Sequence, residues 1–177
     1  GTVINQAEFE YDDFGQLSKD AQSHSGAVDG STPAVSYAFT NASGGNAARL
    51  TTLTYPDGRQ LDFAYGAANS HDDLLSRVAS QQINGELSVL AKYQYVGLDW
   101  FVEIEYPEPS VHLSYLKDAN APVGDAGDPY TGYDRFGRTV DMPWSKTTDG
   151  TLLDRIQYGY NRASNRTWRK NLVATSG

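Results

Sequence analysis

One short sequence pattern recurs along the chain and limits the folds available to it. The fullest copy, at 133–138, reads Tyr-Asp-Arg-Phe-Gly-Arg, and another, at 11–15, reads Tyr-Asp-Asp-Phe-Gly. A copy one residue shorter, Tyr-Pro-Asp-Gly-Arg, occupies 55–59, and a degraded copy at 160–166 has Asn161 and Ser164 in place of Asp and Gly. An aromatic residue, a turn-forming acid or amide and a glycine are the ingredients of a strand–turn–strand unit. The pattern therefore predicts a fold built from repeated hairpins.

The residue composition favours an all-β protein. The chain has 12 Tyr, 6 Phe and 3 Trp but one Met, and Tyr packs well on a pleated surface while keeping a hydroxyl for a polar partner. We expect consecutive antiparallel β-hairpins that form a curved or spiral repeat sheet. We assign residues 1–177 to a single repeat domain, and the start at Gly1 indicates a segment or processed piece of a longer chain.

Three hairpins and one further strand pair can be placed by their turns. Asn84-Gly85 predicts a hairpin between 80–83 and 86–90 with both turn residues at positive φ. The other predicted pairs are 50–55 with 60–65, 144–147 with 151–154, and 99–106 with 111–116. Segments 40–48 and 118–132 lack periodicity and are expected to be surface loops. A short helix at 71–79 is the alternative to irregular structure there, because Leu74, Leu75 and Val78 have helix-like spacing.

The recurring pattern resembles that of the YD-repeat (Rhs-type) proteins. The resemblance is strongest at 133–138 and 11–15 and partial at 55–59 and 160–166, whereas 67–132 shows β patterning without a clear motif. It implies hairpins in series that wind into a spiral sheet closing as a hollow shell. The residues that carry the motif are Tyr11, Asp12, Gly15, Tyr55, Asp57, Gly58, Arg59, Tyr133, Asp134, Gly137, Arg138, Tyr160, Asn161 and Arg166.

Each motif position has a structural explanation. We expect Tyr to pack on the sheet, Asp to cap the turn through its own backbone, and Gly to take the left-handed conformation. Arg138 is expected to lie across aromatic or carbonyl groups of the neighbouring strand. The chain lacks the C-terminal core of self-cleaving family members, so autoproteolysis is not expected.

The charge and residue content disfavour several classes of function. A formal net charge of −8 argues against nucleic acid as the main partner. Cationic residues concentrate near the C-terminus, where ordinary strand-face charge and an RNA-binding patch are the two interpretations; they are Arg155, Arg162, Arg166, Arg169 and Lys170. The absence of cysteine excludes disulfides, thiol catalysis and Cys-ligated metals. No apolar run reaches the roughly 20 residues of a membrane helix, so no membrane span is expected.

The remaining candidate sites each have a simpler structural explanation. Glu103, Glu105 and Glu108 near Trp100 could form a sugar-cleaving pair, but alternation on a solvated strand face gives the same pattern. The three histidines are not framed by a serine-nucleophile motif, so we expect no enzymatic activity. No cofactor is expected, with calcium at the 118–134 loop as a weak option; its oxygen donors would be Asp118, Asn120, Asp125, Asp128 and Asp134.

The sequence thus favours a structural, self-assembling β-repeat block of a secreted or cell-surface shell or fibre. Its expected partners are copies of itself or neighbouring repeats, which it would meet through open strand edges, and an enclosed polypeptide. The alternative is an extracellular module that binds carbohydrate or protein. Such a module would use exposed aromatic residues, with Trp100, Tyr106 and Trp144 as the ligand platform and a surface glycan as the ligand.

Overall fold

The computed structural model describes residues 1–40, 48–117 and 128–174. It divides the chain into two compact units, Gly1–Ser88 and Val89–Gly177. Both units have the same hairpin architecture. The assignment of residues 1–177 to a single repeat domain stays a prediction. The first unit contains β1 (Gln6–Tyr11), β2 (Leu17–Ser23), β3 (Ala34–Phe39), β4 (Leu50–Thr54), β5 (Gln60–Ala64), α1 (His71–Leu74) and β6 (Ser80–Ile83). The second contains β7 (Val89–Val96), β8 (Trp100–Tyr106), β9 (Val111–Ser114), β10 (Asp141–Lys146), β11 (Leu152–Tyr160) and β12 (Arg166–Asn171).

In each unit, every strand pairs with the next strand along the chain, and every pair is antiparallel. In the first unit this order runs from β1 to β6. In the second unit it runs from β7 to β12. This arrangement confirms the prediction of an all-β fold made of consecutive antiparallel hairpins. Such pairing uses sequence neighbours throughout, which keeps the entropic cost of closing each loop low.

Three of the four predicted strand pairs are present, and the turn at Asn84-Gly85 differs from its prediction. Leu53 faces Leu61 in the β4–β5 pair, and Ile104 faces Leu113 in the β8–β9 pair. At Asn84-Gly85, only Gly85 has positive φ (83°), and the Glu86 N–H donates to the Ile83 carbonyl at 3.1 Å. The expectation of two positive φ values was therefore wrong. The mirror-image turn that requires them joins two strands directly, whereas here β7 begins only at Val89.

The predicted helical segment is a single turn. Its N-cap is Ser70, whose hydroxyl accepts a hydrogen bond from the Asp73 N–H at 3.2 Å. The helix ends at Leu74, and Ser76 then adopts a left-handed conformation with φ 54°. Leu74 and Leu75 are exposed rather than packed, so helix-like spacing here did not mark a buried face. No helix within 1–40, 48–117 and 128–174 is long and apolar enough to cross a membrane.

The hydrophobic core is thin in both units. Among the described residues, five apolar or aromatic side chains are buried: Ala21 in the first unit, and Ala91, Val102, Leu113 and Tyr115 in the second. Large hydrophobic side chains remain exposed in both units, for example Phe9 at 52% and Trp168 at 50%. A sheet usually hides one face against another layer of structure. The described residues supply no such layer, so much of the aromatic surface stays open.

Candidate functional site at the repeat turns, the sheet edges and an aromatic groove

The turn of the fullest repeat copy is closed by the Asp134 side chain. Its Oδ1 accepts hydrogen bonds from the Phe136 N–H at 2.9 Å and the Arg138 N–H at 3.0 Å. The Asp134 N–H donates to the Arg138 carbonyl, and the Gly137 N–H to the Asp134 carbonyl, each at 2.9 Å. Gly137 has φ 73°, a conformation that glycine adopts without strain. One carboxylate thus satisfies two backbone donors while the chain reverses.

The turns that begin at Asp12 and Asn161 repeat this geometry. Asp12 Oδ1 accepts from the Phe14 and Gln16 N–H groups at 2.9 and 2.8 Å. Asn161 Oδ1 accepts from Ala163 and Asn165 at 3.0 Å each, because an amide oxygen accepts as a carboxylate oxygen does. The left-handed position belongs to Gly15 (φ 76°) in one turn and to Ser164 (φ 62°) in the other. The degraded copy has therefore kept the turn despite two substitutions.

The copy at 55–59 has the same turn with its residues shifted by one. The Tyr55 N–H donates to the Arg59 carbonyl at 2.8 Å, and the Gly58 N–H to the Tyr55 carbonyl at 2.9 Å. Tyr55 therefore stands where Asp134 stands in the fullest copy. Asp57 caps from inside the turn by accepting from the Arg59 N–H at 3.0 Å. The missing residue in the sequence pattern does not shorten the turn; it moves the aromatic side chain by one position.

A further copy, which sequence reasoning missed, lies at 106–110. Tyr106 is followed by Pro107, the Ser110 N–H donates to the Pro107 carbonyl at 3.0 Å, and Ser110 has φ 54°. No Asp or Gly marks this turn, so its sequence, Tyr-Pro-Glu-Pro-Ser, did not match. The available signal was the spacing, because Tyr106, Tyr133 and Tyr160 are separated by 27 residues each. The spacing of the copies is therefore regular in the second unit, although it is irregular over the whole chain.

Arg138 connects two successive repeat turns. Its Nε donates to Asp134 Oδ2 at 2.7 Å, within its own turn. Its Nη1 donates to the Asn161 carbonyl at 3.2 Å and to Ser164 Oγ at 3.1 Å, in the following turn. The guanidinium also lies 4.7 Å from the centre of the Tyr160 ring. The side chain thus joins aromatic and carbonyl groups of the neighbouring repeat, which is the placement proposed for it from the sequence.

The first and last described strands, β1 and β12, carry opposite charges. β1 pairs with β2 alone and β12 with β11 alone among the described strands. Segment 6–13 contains four acidic residues and no basic ones: Glu8, Glu10, Asp12 and Asp13. Segment 161–171 contains four basic residues and no acidic ones: Arg162, Arg166, Arg169 and Lys170. The C-terminal basic cluster found in the sequence is therefore largely an edge strand, while Arg155 lies on β11 and pairs with Asp141.

The second unit has a groove of about 390 Å³ at the start of β8. Trp100, which is 48% exposed, lies in it with its ring centre 5.7 Å from that of Tyr133. The other lining residues are Val96, Gly97, Leu98, Asp99, Asp128, Tyr130 and Asp134. The Tyr133 hydroxyl donates to the Phe101 carbonyl at 2.6 Å, and burial and then neighbouring Tyr115 raise the pKa of Tyr133 to about 12.

The other two residues of the predicted ligand platform pair with each other. The rings of Tyr106 and Trp144 stack with centres 6.1 Å apart and an interplanar angle of 14°. Tyr106 is 37% exposed. Trp100 instead contacts Tyr133, so the described contacts divide the three residues between a groove and a stacked pair. The platform assignment stays a prediction, with Trp100 as its most accessible member.

Two of the three acidic candidates form cross-strand pairs, and the third, Glu108, is exposed in the turn after β8. Glu105 accepts from Lys92 Nζ at 3.2 Å, and Glu103 accepts from Gln94 Nε2 at 2.8 Å and lies 3.3 Å from His112 Nδ1. These are cross-strand pairs on the polar side of β8.

The predicted calcium ligands are only partly described. Asp118, Asn120 and Asp125 lie outside the described residues. Asp128 caps its own turn by accepting from the Tyr130 N–H at 2.8 Å, and Asp134 caps the repeat turn as above. Within the described ranges, no group of three or more possible metal ligands converges.

Comparison with solved structures supports the fold. The chain is similar to part of a chain in the Photorhabdus luminescens Tc holotoxin pore carrying a mutation in TccC3, with a TM-score of 0.62 and 14% identity. It is also similar to part of a chain in the crystal structure of TcdB2-TccC3-Cdc42, with a TM-score of 0.61 and 14% identity. The fold is that of a segment of these chains. The matches cover 98% and 96% of the present chain but 8% of each of the others. No protein-family model and no curated protein matches the sequence.

Proposed function

We propose that this chain is a structural β-repeat block of a secreted or cell-surface assembly, a YD-repeat-like array that forms a shell or fibre and has no catalytic activity of its own. The observation that carries the proposal is the thin core. Each unit is a hairpin meander whose large aromatic side chains are left open, with Phe9 52% and Trp168 50% exposed. Exposed apolar surface of this kind is characteristic of an interaction face.

The similarity in fold to parts of two larger protein assemblies supports the proposed assembly role. The two similar chains come from structures of a toxin pore and of a complex of several proteins. The present chain matches 8% of each, so their activities belong to much longer polypeptides. An extracellular or cell-surface location for the present chain follows from the proposed role. The YD-repeat assignment is supported by the repeated turn that Asp12, Asp134 and Asn161 close in the same way.

The proposed partners are further repeats, either in other copies of this chain or in a neighbouring part of a longer one. They would dock on the open edges of β1 and β12, where backbone groups are free to continue the sheet. An enclosed polypeptide is a second proposed partner, because each unit leaves large aromatic side chains exposed for contact with another chain.

The test is the assembly state of the purified 177-residue chain. Light scattering after size-exclusion chromatography, at concentrations spanning about two orders of magnitude, should show mass that grows with concentration. Electron micrographs of the concentrated fractions should then show filaments or closed particles. A monomer at every concentration, with no particles in the micrographs, would contradict the self-assembly proposal.

A second candidate function is glycan or protein binding at the aromatic groove. The observation that favours it is Trp100, which is 48% exposed in a groove that also contains carboxylates, the arrangement of a sugar-binding platform. A glycan array, followed by tryptophan fluorescence titration of any hit, tests this candidate. A chain with Trp144 and Trp168 replaced by Phe keeps Trp100 as its one tryptophan and should respond to the sugar, whereas Trp100→Phe alone, which keeps Trp144 and Trp168, should not. Absence of any hit on the array would contradict glycan binding at the groove.

A further inference from the structure

The two outer strands of the chain are matched in charge and exposure. Every residue from 161 to 170 is exposed, and so is every residue of β1 except Gln6. Arg169 and Lys170 on β12 form no salt bridge with another described residue, and neither do Glu8 and Asp13 at the other end. Glu10 forms a salt bridge with Lys19 at 2.7 Å, and the hydrogen bond from Lys19 to Glu10, followed by the nearby charges of Glu10 and Glu8, raises the pKa of Lys19. Each of these two strands therefore pairs with one other described strand, and the two carry opposite charges.

The backbone of β12 is suited to accept another strand. The Leu172 N–H donates to the Arg155 carbonyl at 2.8 Å, and Lys170 lies opposite Gln157. Because alternate residues of an antiparallel ladder bond to opposite sides, the peptide groups of Arg169 and Asn171 point away from β11. A strand that pairs there meets hydrogen-bonding groups and cationic side chains together.

We propose that β12 of one copy pairs edge to edge with β1 of a second copy, with the basic strand recognising the acidic one. The proposal rests on the proposed self-assembly function and identifies its interface. The contact is heterologous, because it joins two different surfaces. Each added copy therefore leaves one free β1 and one free β12, and growth can continue. Like-charged edges repel, so β1–β1 and β12–β12 pairing is disfavoured.

Charge reversal at each edge tests this pairing. The β1 reversal variant combines Glu8→Lys with Asp13→Arg; Asp13 holds the turn position occupied by Arg135 in the fullest copy, so arginine is compatible there. The β12 reversal variant combines Arg169→Glu with Lys170→Glu. Each variant alone should self-associate at least about tenfold more weakly than the unmodified chain.

Mixing the two variants supplies the decisive result. The reversed β1 edge is basic and the reversed β12 edge is acidic, so an equimolar mixture should recover co-assembly of the two variants. Association of the unmodified chain should also weaken between about 0.05 and 0.5 M salt, because exposed charges are screened over shorter distances at higher ionic strength.

A control variant separates edge recognition from net charge. Glu86→Lys combined with Glu108→Arg changes two exposed acidic residues in turns, with the same charge change as the β1 reversal. This control should associate like the unmodified chain, and far-UV circular dichroism should show all variants folded.

Two different failures are distinguishable. Undiminished association of both reversal variants would overturn the edge pairing and leave the self-assembly function standing. A chain that stays monomeric throughout, with no association on mixing, would overturn both.

Discussion

The packing of Trp100 on Gly137 leads to a quantitative prediction. Gly137 has φ 73°, and a Cβ built on it would overlap the six-membered ring of Trp100. Gly150, in the same unit, has φ 74°, and a Cβ there would meet nothing within 4 Å. The two glycines therefore share a backbone conformation and differ in their surroundings. Gly150→Ala measures the conformational cost alone, whereas Gly137→Ala adds the displacement of Trp100.

The expected magnitudes follow from these surroundings. Alanine in the left-handed conformation costs about 1 to 2 kcal/mol, which applies to both positions. Trp100 is 48% exposed, so about half of its surface is covered by packing. Losing about 100 Å² of that contact costs about 2.5 kcal/mol at about 25 cal/mol per Å². Gly137→Ala should therefore lower the free energy of unfolding by about 3.5 to 4.5 kcal/mol, and Gly150→Ala by about 1 to 2 kcal/mol.

Urea unfolding followed by far-UV circular dichroism provides the measurement. A double-mutant cycle completes it: with Trp100 replaced by Ala, the cost of Gly137→Ala should fall to that of Gly150→Ala. Equal costs for the two glycine variants, within about 0.5 kcal/mol, would refute the reasoning. That result would mean that the packing of Trp100 on Gly137 does not contribute to the free energy of unfolding.

Three further predictions concern the repeat turns. Ser164→Gly relieves a serine held at φ 62° but removes the Oγ that accepts from Arg138 Nη1 at 3.1 Å, so the free energy of unfolding should rise by up to about 1 kcal/mol in urea titrations. Burial would raise the pKa of the Asp134 carboxyl, but hydrogen bonds from Arg138 and the backbone lower it below its ordinary 3.8. The stabilisation from the ionised Asp134 carboxylate is present above the ordinary pKa and is lost as the pH falls through the lowered pKa. The free energy of unfolding of Arg138→Met should therefore fall less on acidification than that of the unmodified chain. Burial raises the pKa of Tyr133 from 10.0 to about 12. The stability that the neutral Tyr133 hydroxyl contributes should therefore be present below pH 10.0 and be lost as the pH rises to about 12. Tyrosinate absorbance and alkaline unfolding of Tyr133→Phe measure this, and an unchanged alkaline loss would contradict it.

The sequence was most informative where a turn is closed by local atoms. Asp134 and Gly137 satisfy their turn through hydrogen bonds within five residues, so the motif predicted the hairpin geometry. The β4–β5 and β8–β9 pairs were predictable for the same reason, because alternation and a nearby turn define both strands.

Sequence reasoning failed where one geometry is compatible with several residue types. The turn at 106–110 uses Ser110 in the left-handed position and Pro107 in place of Asp, so a search for identical residues passes over it. At 55–59 the capping carboxylate moves to Asp57, which changes the alignment but not the backbone. Turn geometry depends on φ and on the presence of an acceptor, and several residue types can supply either.

The sequence by itself determined that this chain is all-β, that its hairpins follow one another, and which residues close their turns, since these properties depend on contacts between neighbours along the chain. The tertiary structure decided which strands are left as edges, how little of the aromatic surface is buried, and that Arg138 reaches the next turn at Asn161 and Ser164. It also brought Trp100 onto Gly137. These properties depend on residues far apart in sequence, and periodicity reports the face on which a side chain lies but not what covers that face.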